Sequence, residues 1–69
     1  MKYTVILEPQ EEGGFTVTVP ALPGCISEGE TVDEVIKNIK DAITGYIASL
    51  RKHGEPTPVE MSVEVPIDA

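Results

Sequence analysis

Residues 31–54 read TVDEVIKNIKDAITGYIASLRKHG, the longest stretch of regular periodicity in the chain. Nine apolar side chains recur there at offsets 0, 3, 4, 7, 10, 11, 14, 15 and 18, from Val32 to Leu50. This spacing forms one continuous apolar face on an α-helix. Thr31 and Glu34 have the spacing of an N-terminal capping box, and Gly54 suits the left-handed residue that ends a helix. The pattern predicts a helix from Val32 to Lys52.

Segments with alternating apolar and polar side chains lie on both sides of this helix. The alternation predicts β-strands at residues 2–8, 15–19 and 59–65, and residues 25–28 leave room for a short third strand before Gly29. Gly13 and Gly14 end a polar loop and permit a hairpin between the first two strands. Pro20 and Pro23 cannot donate ladder hydrogen bonds, so the chain turns there before the third strand.

The helix has a single apolar face, which predicts one two-layer α+β domain over residues 1–69, with the helix on a mixed sheet of three or four strands. The right-handed crossover rule places the last strand beside the first and parallel to it. A sheet of this size has exposed edges, and exposed edges pair with other chains. We therefore expect the chain to form a dimer or a tetramer.

The composition is acidic, and this excludes several kinds of partner. Twelve acidic residues against five basic ones give a net charge of −7, which opposes binding to nucleic acid and to anionic membranes. No apolar run approaches the roughly 18 residues of a membrane helix, and we expect a cytoplasmic protein. Cys25 has no second cysteine in the chain to pair with. Cys25 and His53 alone cannot supply the four ligands of a structural zinc site, so we expect no metal and no cofactor.

The run VPALPGCISEGET at residues 19–31, followed by EVIKNI at 34–39 and DAI at 41–43, resembles the HicB family of type II antitoxins. The resemblance extends over nearly the whole chain. It implies a partial RNase H-like fold, β-β-β-α-β with strand order 3-2-1-4, and a HicA-like toxin as partner, which is a small basic ribonuclease that cleaves messenger RNA. Many family members continue into a C-terminal DNA-binding module, whereas this sequence ends at Ala69. We therefore expect a short member that does not bind DNA directly.

Three functions remain open at this point. The first is an antitoxin-like module that neutralises a HicA-like toxin by covering it. The second is a homo-oligomeric structural or regulatory domain without a toxin. The third is a small metal-dependent nuclease, which requires several carboxylates at the centre of the sheet, where the strands supply few. A Cys25 nucleophile would need a base, but His53 lies at the far end of a helix of about 30 Å. We expect no enzymatic activity.

The candidate partner-binding residues are carboxylates in two groups. One group lies in the predicted hairpin loop and the other at the predicted helix entrance: Glu11 and Glu12, then Glu28, Glu30, Asp33 and Glu34. Acidic side chains here complement a basic protein and accelerate its association. The same charges also keep a small protein soluble, so contact with a partner and simple solvation both remain open. The sequence predicts no catalytic, metal-binding or cofactor-binding residue.

Overall fold

The computed structural model describes residues 2–60 and residue 66. It contains β1 (Ile6–Pro9), β2 (Phe15–Thr18), β3 (Ile26–Gly29) and α1 (Val32–Lys52) in chain order. The three strands form one sheet in the order β1-β2-β3, and both neighbouring pairs are antiparallel. α1 packs on β2 and β3. The predicted α+β class and the helix boundaries are confirmed.

β1 begins four residues later than the sequence predicts, and the register of the sheet explains why. Ile6 pairs with Thr18, so the same register places Thr4 opposite Pro20. Proline has no amide hydrogen, and the ladder cannot extend to that position. Tyr3 and Thr4 instead contact the segment that follows the helix. The Tyr3 hydroxyl donates to the Pro58 carbonyl at 2.8 Å, and the Thr4 amide donates to the Glu60 carboxylate at 2.9 Å.

The predicted fourth strand, residues 59–65, lies mostly outside the described residues. Its first two residues, Val59 and Glu60, have no regular secondary structure, and Val59 is 85 % exposed. The strand order 3-2-1-4 therefore stays a prediction, of which the described sheet supplies the β1-β2-β3 part.

The core lies between α1 and one face of the sheet. Among the described residues it includes seven buried apolar side chains: Val17, Val19, Leu22, Cys25, Val35, Ile39 and Ile47. Leu22 belongs to the turn after β2, where its amide donates to the Val19 carbonyl at 3.0 Å and its carbonyl accepts from the Cys25 amide at 2.9 Å. The proline-containing turn is thus a rigid corner of the core.

Gly29 allows the start of α1 to approach β3 closely. A Cβ atom at this position would lie 2.8 Å from the Val35 nitrogen and 3.0 Å from the Val35 Cα. Both are backbone atoms of the helix, so a side chain at Gly29 would push the helix away from the strand. At Gly45, in the middle of the helix, such a Cβ would meet no atom of the described residues within 4 Å apart from the adjacent helix backbone, so no close approach in that part of the chain requires a glycine there.

Both ends of α1 are capped, although the N-terminal cap is simpler than predicted. The Thr31 hydroxyl accepts from the Glu34 amide at 3.1 Å. The reciprocal bond from the Glu34 side chain to the Thr31 amide, which a full capping box requires, does not occur among the described residues. At the other end, the His53 Nδ1 lies 2.8 Å from the Ser49 carbonyl, and Gly54 takes a φ of 68°.

Candidate partner-binding surface

The loop between β1 and β2 holds two carboxylates at one end of the sheet. The Gln10 amide donates to the Gly14 carbonyl and the Gly13 amide donates to the Gln10 carbonyl, both at 3.0 Å. Gly13 and Gly14 have φ values of 101° and 78°, which side chains with a Cβ rarely adopt. The turn therefore fixes the exposed Glu11 and Glu12 at the tip of the hairpin.

This loop lies against the end of β3, close to the helix entrance. A Cβ built on Gly14 would lie 3.0 Å from the Gly29 carbonyl oxygen and 3.7 Å from the Glu30 Oε2. The two groups of predicted carboxylates, far apart in sequence, are thus neighbours in the fold.

Two shallow depressions share this end of the molecule. One, of about 520 Å³, is lined by Glu11, Glu12 and Glu28 together with Gln10, Gly13 and Thr16. The other, of about 330 Å³, contains Glu28, Glu30 and Glu34 beside Phe15 and the glycines of the loop. We call these five carboxylates, Glu11, Glu12, Glu28, Glu30 and Glu34, the acidic surface. Glu28 belongs to both depressions and joins them.

The sheet face opposite α1 continues from the acidic surface. The register places Glu8, Thr16 and Glu28 in one row across the three strands, and Ile6, Thr18 and Ile26 in the next row. Ile6 is 48 % exposed and Ile26 is 57 % exposed. This open face therefore presents two apolar side chains next to a carboxylate-rich row, a combination that suits binding to another protein.

Five of the six predicted partner-binding residues line the two depressions. Asp33 does not, and it lies exposed on the first turn of α1. The sequence analysis missed Gln10 and Thr16, which also line this end. Thr16 could have been found from the hairpin register, because an alternating strand places it on the face opposite the core valine Val17.

A second concave surface lies between α1 and the segment that precedes β1, residues 2–5. This groove has a volume of about 860 Å³ and a floor of isoleucines and residues from the start of the chain. Three of the five basic residues of the chain stand among its lining: Lys2, Lys40 and Arg51. The groove is thus apolar and basic, opposite in character to the acidic surface.

The residues considered for catalysis are not brought together. Cys25 is 6 % exposed, and burial raises the pKa of its thiol, which disfavours the reactive thiolate. His53 caps the far end of α1. Within residues 2–60 and 66, no group of three or more His, Cys, Asp or Glu side chains is arranged to hold a metal ion. In the same part of the chain, no helix has the length and apolarity needed to cross a membrane.

Comparison with known proteins agrees with the resemblance seen in the sequence. Residues 3–69 match the family described as HicB-like antitoxin of bacterial toxin–antitoxin system. The chain is 49 % identical to the UPF0150 protein Ta0767 of Thermoplasma acidophilum over the full length of both proteins. It is 43 % identical to the UPF0150 protein ssr1765 of Synechocystis, covering 94 % of this chain and 82 % of the relative. It is 36 % identical to Antitoxin HicB 1 of Photorhabdus laumondii, covering 97 % of this chain but 46 % of that protein.

Proposed function

Because the chain belongs to the HicB-like antitoxin family of bacterial toxin–antitoxin systems, we propose that it binds a small, basic, HicA-like ribonuclease and neutralises it by covering its RNA-binding surface. The observation that carries this proposal is the acidic surface, where the fold gathers carboxylates from the hairpin loop, β3 and the helix entrance. The protein acts by binding and needs no catalytic group of its own.

The charge of the two proteins supports this mechanism. A protein that cleaves messenger RNA must attract phosphates, so its working surface is basic. The antitoxin has a net charge of −7, and five of its carboxylates line one end of the molecule. Opposite potentials steer the two proteins together and disfavour wrong partners. Since the acidic surface competes for the same cationic side chains as RNA does, binding and neutralisation are one event.

The groove between residues 2–5 and α1 supports the predicted fourth strand. Its apolar floor lies beside the segment that leads into β1, and the Tyr3–Pro58 and Thr4–Glu60 hydrogen bonds bring the chain after the helix to that segment. The segment from Val59 onward alternates apolar and polar side chains, as a strand covering such a floor requires. We propose that it pairs with β1 to give the order 3-2-1-4. Self-association into a dimer or tetramer and a cytoplasmic location complete the proposal.

Co-expression tests the proposal most directly. The probe is the product of the adjacent reading frame, where we expect a basic protein of roughly 60 residues with one histidine. Expression of that protein alone should stop growth, and co-expression of the antitoxin should restore it, with both proteins eluting together in size-exclusion chromatography. If growth is not restored and no complex elutes, the antitoxin role is wrong and the homo-oligomeric alternative gains support.

Charge reversal locates the contact. Changing Glu28 and Glu30 to Lys should slow association on the order of tenfold at low salt, because electrostatic steering is lost. The matched control changes Asp41 and Glu55 to Lys. Both residues are exposed elsewhere on the molecule, and the control variant has the same net charge as the first variant. Equal association rates for the two variants would show that only total charge matters and that the acidic surface makes no specific contact.

A further inference from the structure

β3 is an outer strand of the described sheet, and its hydrogen-bonding pattern shows which backbone groups face outward. The Val19 amide donates to the Cys25 carbonyl at 3.1 Å, which makes these two residues a hydrogen-bonded pair in the β2–β3 register. Such pairs alternate along antiparallel strands. Ser27 and Gly29 therefore bond to β2, while the amides and carbonyls of Ile26 and Glu28 point away from the sheet.

One side chain confirms this direction independently. The Asn38 Nδ2, from α1, donates to the Glu28 carbonyl at 2.8 Å. The Glu28 carbonyl thus faces outward and accepts a donor from outside the sheet. Asn38 satisfies this one acceptor. Within residues 2–60 and 66, no other group bonds to the amide and carbonyl of Ile26 or to the amide of Glu28, so these are available for pairing at the same edge.

The other outer strand is less accessible. Next to β1, the Tyr3 hydroxyl and the Thr4 amide already bond to the segment after the helix. Around β3, by contrast, Ile26 is 57 % exposed, and Glu28 and Glu30 line the acidic surface. Of the two outer strands in the described part of the chain, β3 is the one that offers backbone groups, an apolar side chain and negative charge together.

The negative charge beside β3 determines which kind of strand can pair with its outer edge. A second copy of this chain would bring its own Glu28 and Glu30 to the same short ladder, and its own net charge of −7; like charges facing each other across strands are destabilising. An incoming strand that carries Lys or Arg meets the opposite situation. The same carboxylates thus disfavour self-pairing at β3 and favour a basic strand, which is specificity by both repulsion and attraction.

We propose that the basic partner adds an extended Lys- or Arg-bearing strand to the edge of β3, bonding to the backbone of Ile26 and Glu28. This inference rests on the proposed antitoxin function and adds its binding mode. Main-chain hydrogen bonds supply part of the affinity in such strand addition, and flanking side chains supply the specificity. The acidic surface lies directly beside this edge and receives the basic side chains.

Amide hydrogen exchange of the isotope-labelled antitoxin, alone and in complex with the adjacent-frame protein, tests this pairing residue by residue. In the free protein, the Ile26 and Glu28 amides should exchange faster than the Ser27 amide, which bonds to β2. In the complex, exchange at Ile26 and Glu28 should slow at least about tenfold, while Ser27 changes little. A complex that leaves Ile26 and Glu28 unchanged overturns strand addition and leaves the antitoxin role intact. Failure to form any complex refutes both.

A pair of variants at one position provides a second measurement. Ile26→Pro removes an outward amide hydrogen but no β2–β3 bond, and Ile26→Thr keeps the amide while shortening the apolar side chain. Ile26→Pro should raise the dissociation constant of the complex about tenfold more than Ile26→Thr does, because this is the contribution of one main-chain hydrogen bond in a well-ordered ladder. Circular dichroism checks that both variants fold. Equal affinities for two folded variants would overturn the proposal.

Discussion

Gly29 is the position where a single methyl group should have the largest effect on this fold. In Gly29→Ala, the new Cβ would lie 2.8 Å from the Val35 nitrogen, 3.0 Å from the Val35 Cα and 3.2 Å from the Glu34 carbonyl carbon. All three atoms belong to the helix backbone, so no flexible side chain can move aside. The first turn of α1 must shift away from β3.

The cost can be scaled from the behaviour of overpacked cores. Inserting a methyl group against atoms that cannot relax costs about 1–3 kcal/mol, and backbone contacts belong to the upper half of that range. A domain of this size has a total stability of roughly 3–10 kcal/mol. Gly29→Ala should therefore remove a large share of it, and lower the urea midpoint by about 2 M for a slope near 1 kcal/mol/M.

The matched control is the same substitution at Gly45, where a Cβ meets nothing within 4 Å. Because alanine favours helix over glycine by up to about 1 kcal/mol, Gly45→Ala should stabilise the protein. Urea unfolding followed by circular dichroism measures both variants. If Gly29→Ala is as stable as the parent, or shifts in the same direction as Gly45→Ala, the close packing of α1 on β3 described above is wrong.

Three further predictions concern the caps and the titratable groups. Thr31→Ala removes the hydroxyl that accepts from the Glu34 amide and should cost about 1 kcal/mol in thermal or urea unfolding; an unchanged stability would mean that the cap contributes nothing. Hydrogen bonds from the Thr4 hydroxyl and amide lower the pKa of Glu60 below the ordinary value of 4.5, so the contribution of this carboxylate to stability is present above that pH and is lost as pH falls through the lowered pKa. The stability difference between the parent and Glu60→Gln should shrink across that range, and a difference that stays constant with pH would contradict the assignment. Burial raises the pKa of Cys25 above 9.0, so stability should fall as pH rises past 9, where the unfolded thiol ionises and the folded one does not; a Cys25→Ala variant should lose this alkaline slope, and an identical slope would contradict the assignment.

The helix was predictable to the residue because its signals are local. Nine apolar positions fix its face, and Thr31 and Gly54 mark its ends. The start of β1 was not predictable from Lys2 to Val5 alone, because it depends on Pro20, in the turn after β2, and on the connector beyond the helix. Alternating apolar and polar side chains identify a β-strand. The length of the strand is set by the neighbouring strand with which it pairs, and the alternation does not show which residues those are.

The five carboxylates of the acidic surface were predictable individually from the sequence, but their location at one end of the molecule was not. Each group could be read from its own turn, yet their proximity depends on the hairpin register and on the contact of Gly14 with the Gly29 carbonyl. Asp33 does not line the depressions that Glu34 lines, because consecutive residues of an α-helix point about 100° apart around the helix axis. The hydrogen bond from Asn38 to the Glu28 carbonyl was not predictable from the sequence, because asparagine on the surface of a helix is common and does not indicate a particular partner.

The order of the sheet has a consequence for how the molecule assembles. β1 pairs with β2, β2 with β3, and α1 packs back on the strands just before it. Loops between such neighbours are short, so their closure costs little entropy and proceeds quickly. The ties of Tyr3 to Pro58 and of Thr4 to Glu60 span nearly the whole polypeptide. The sheet and the helix can therefore dock first, and the bonds of Tyr3 to Pro58 and of Thr4 to Glu60 form as the closing step of folding.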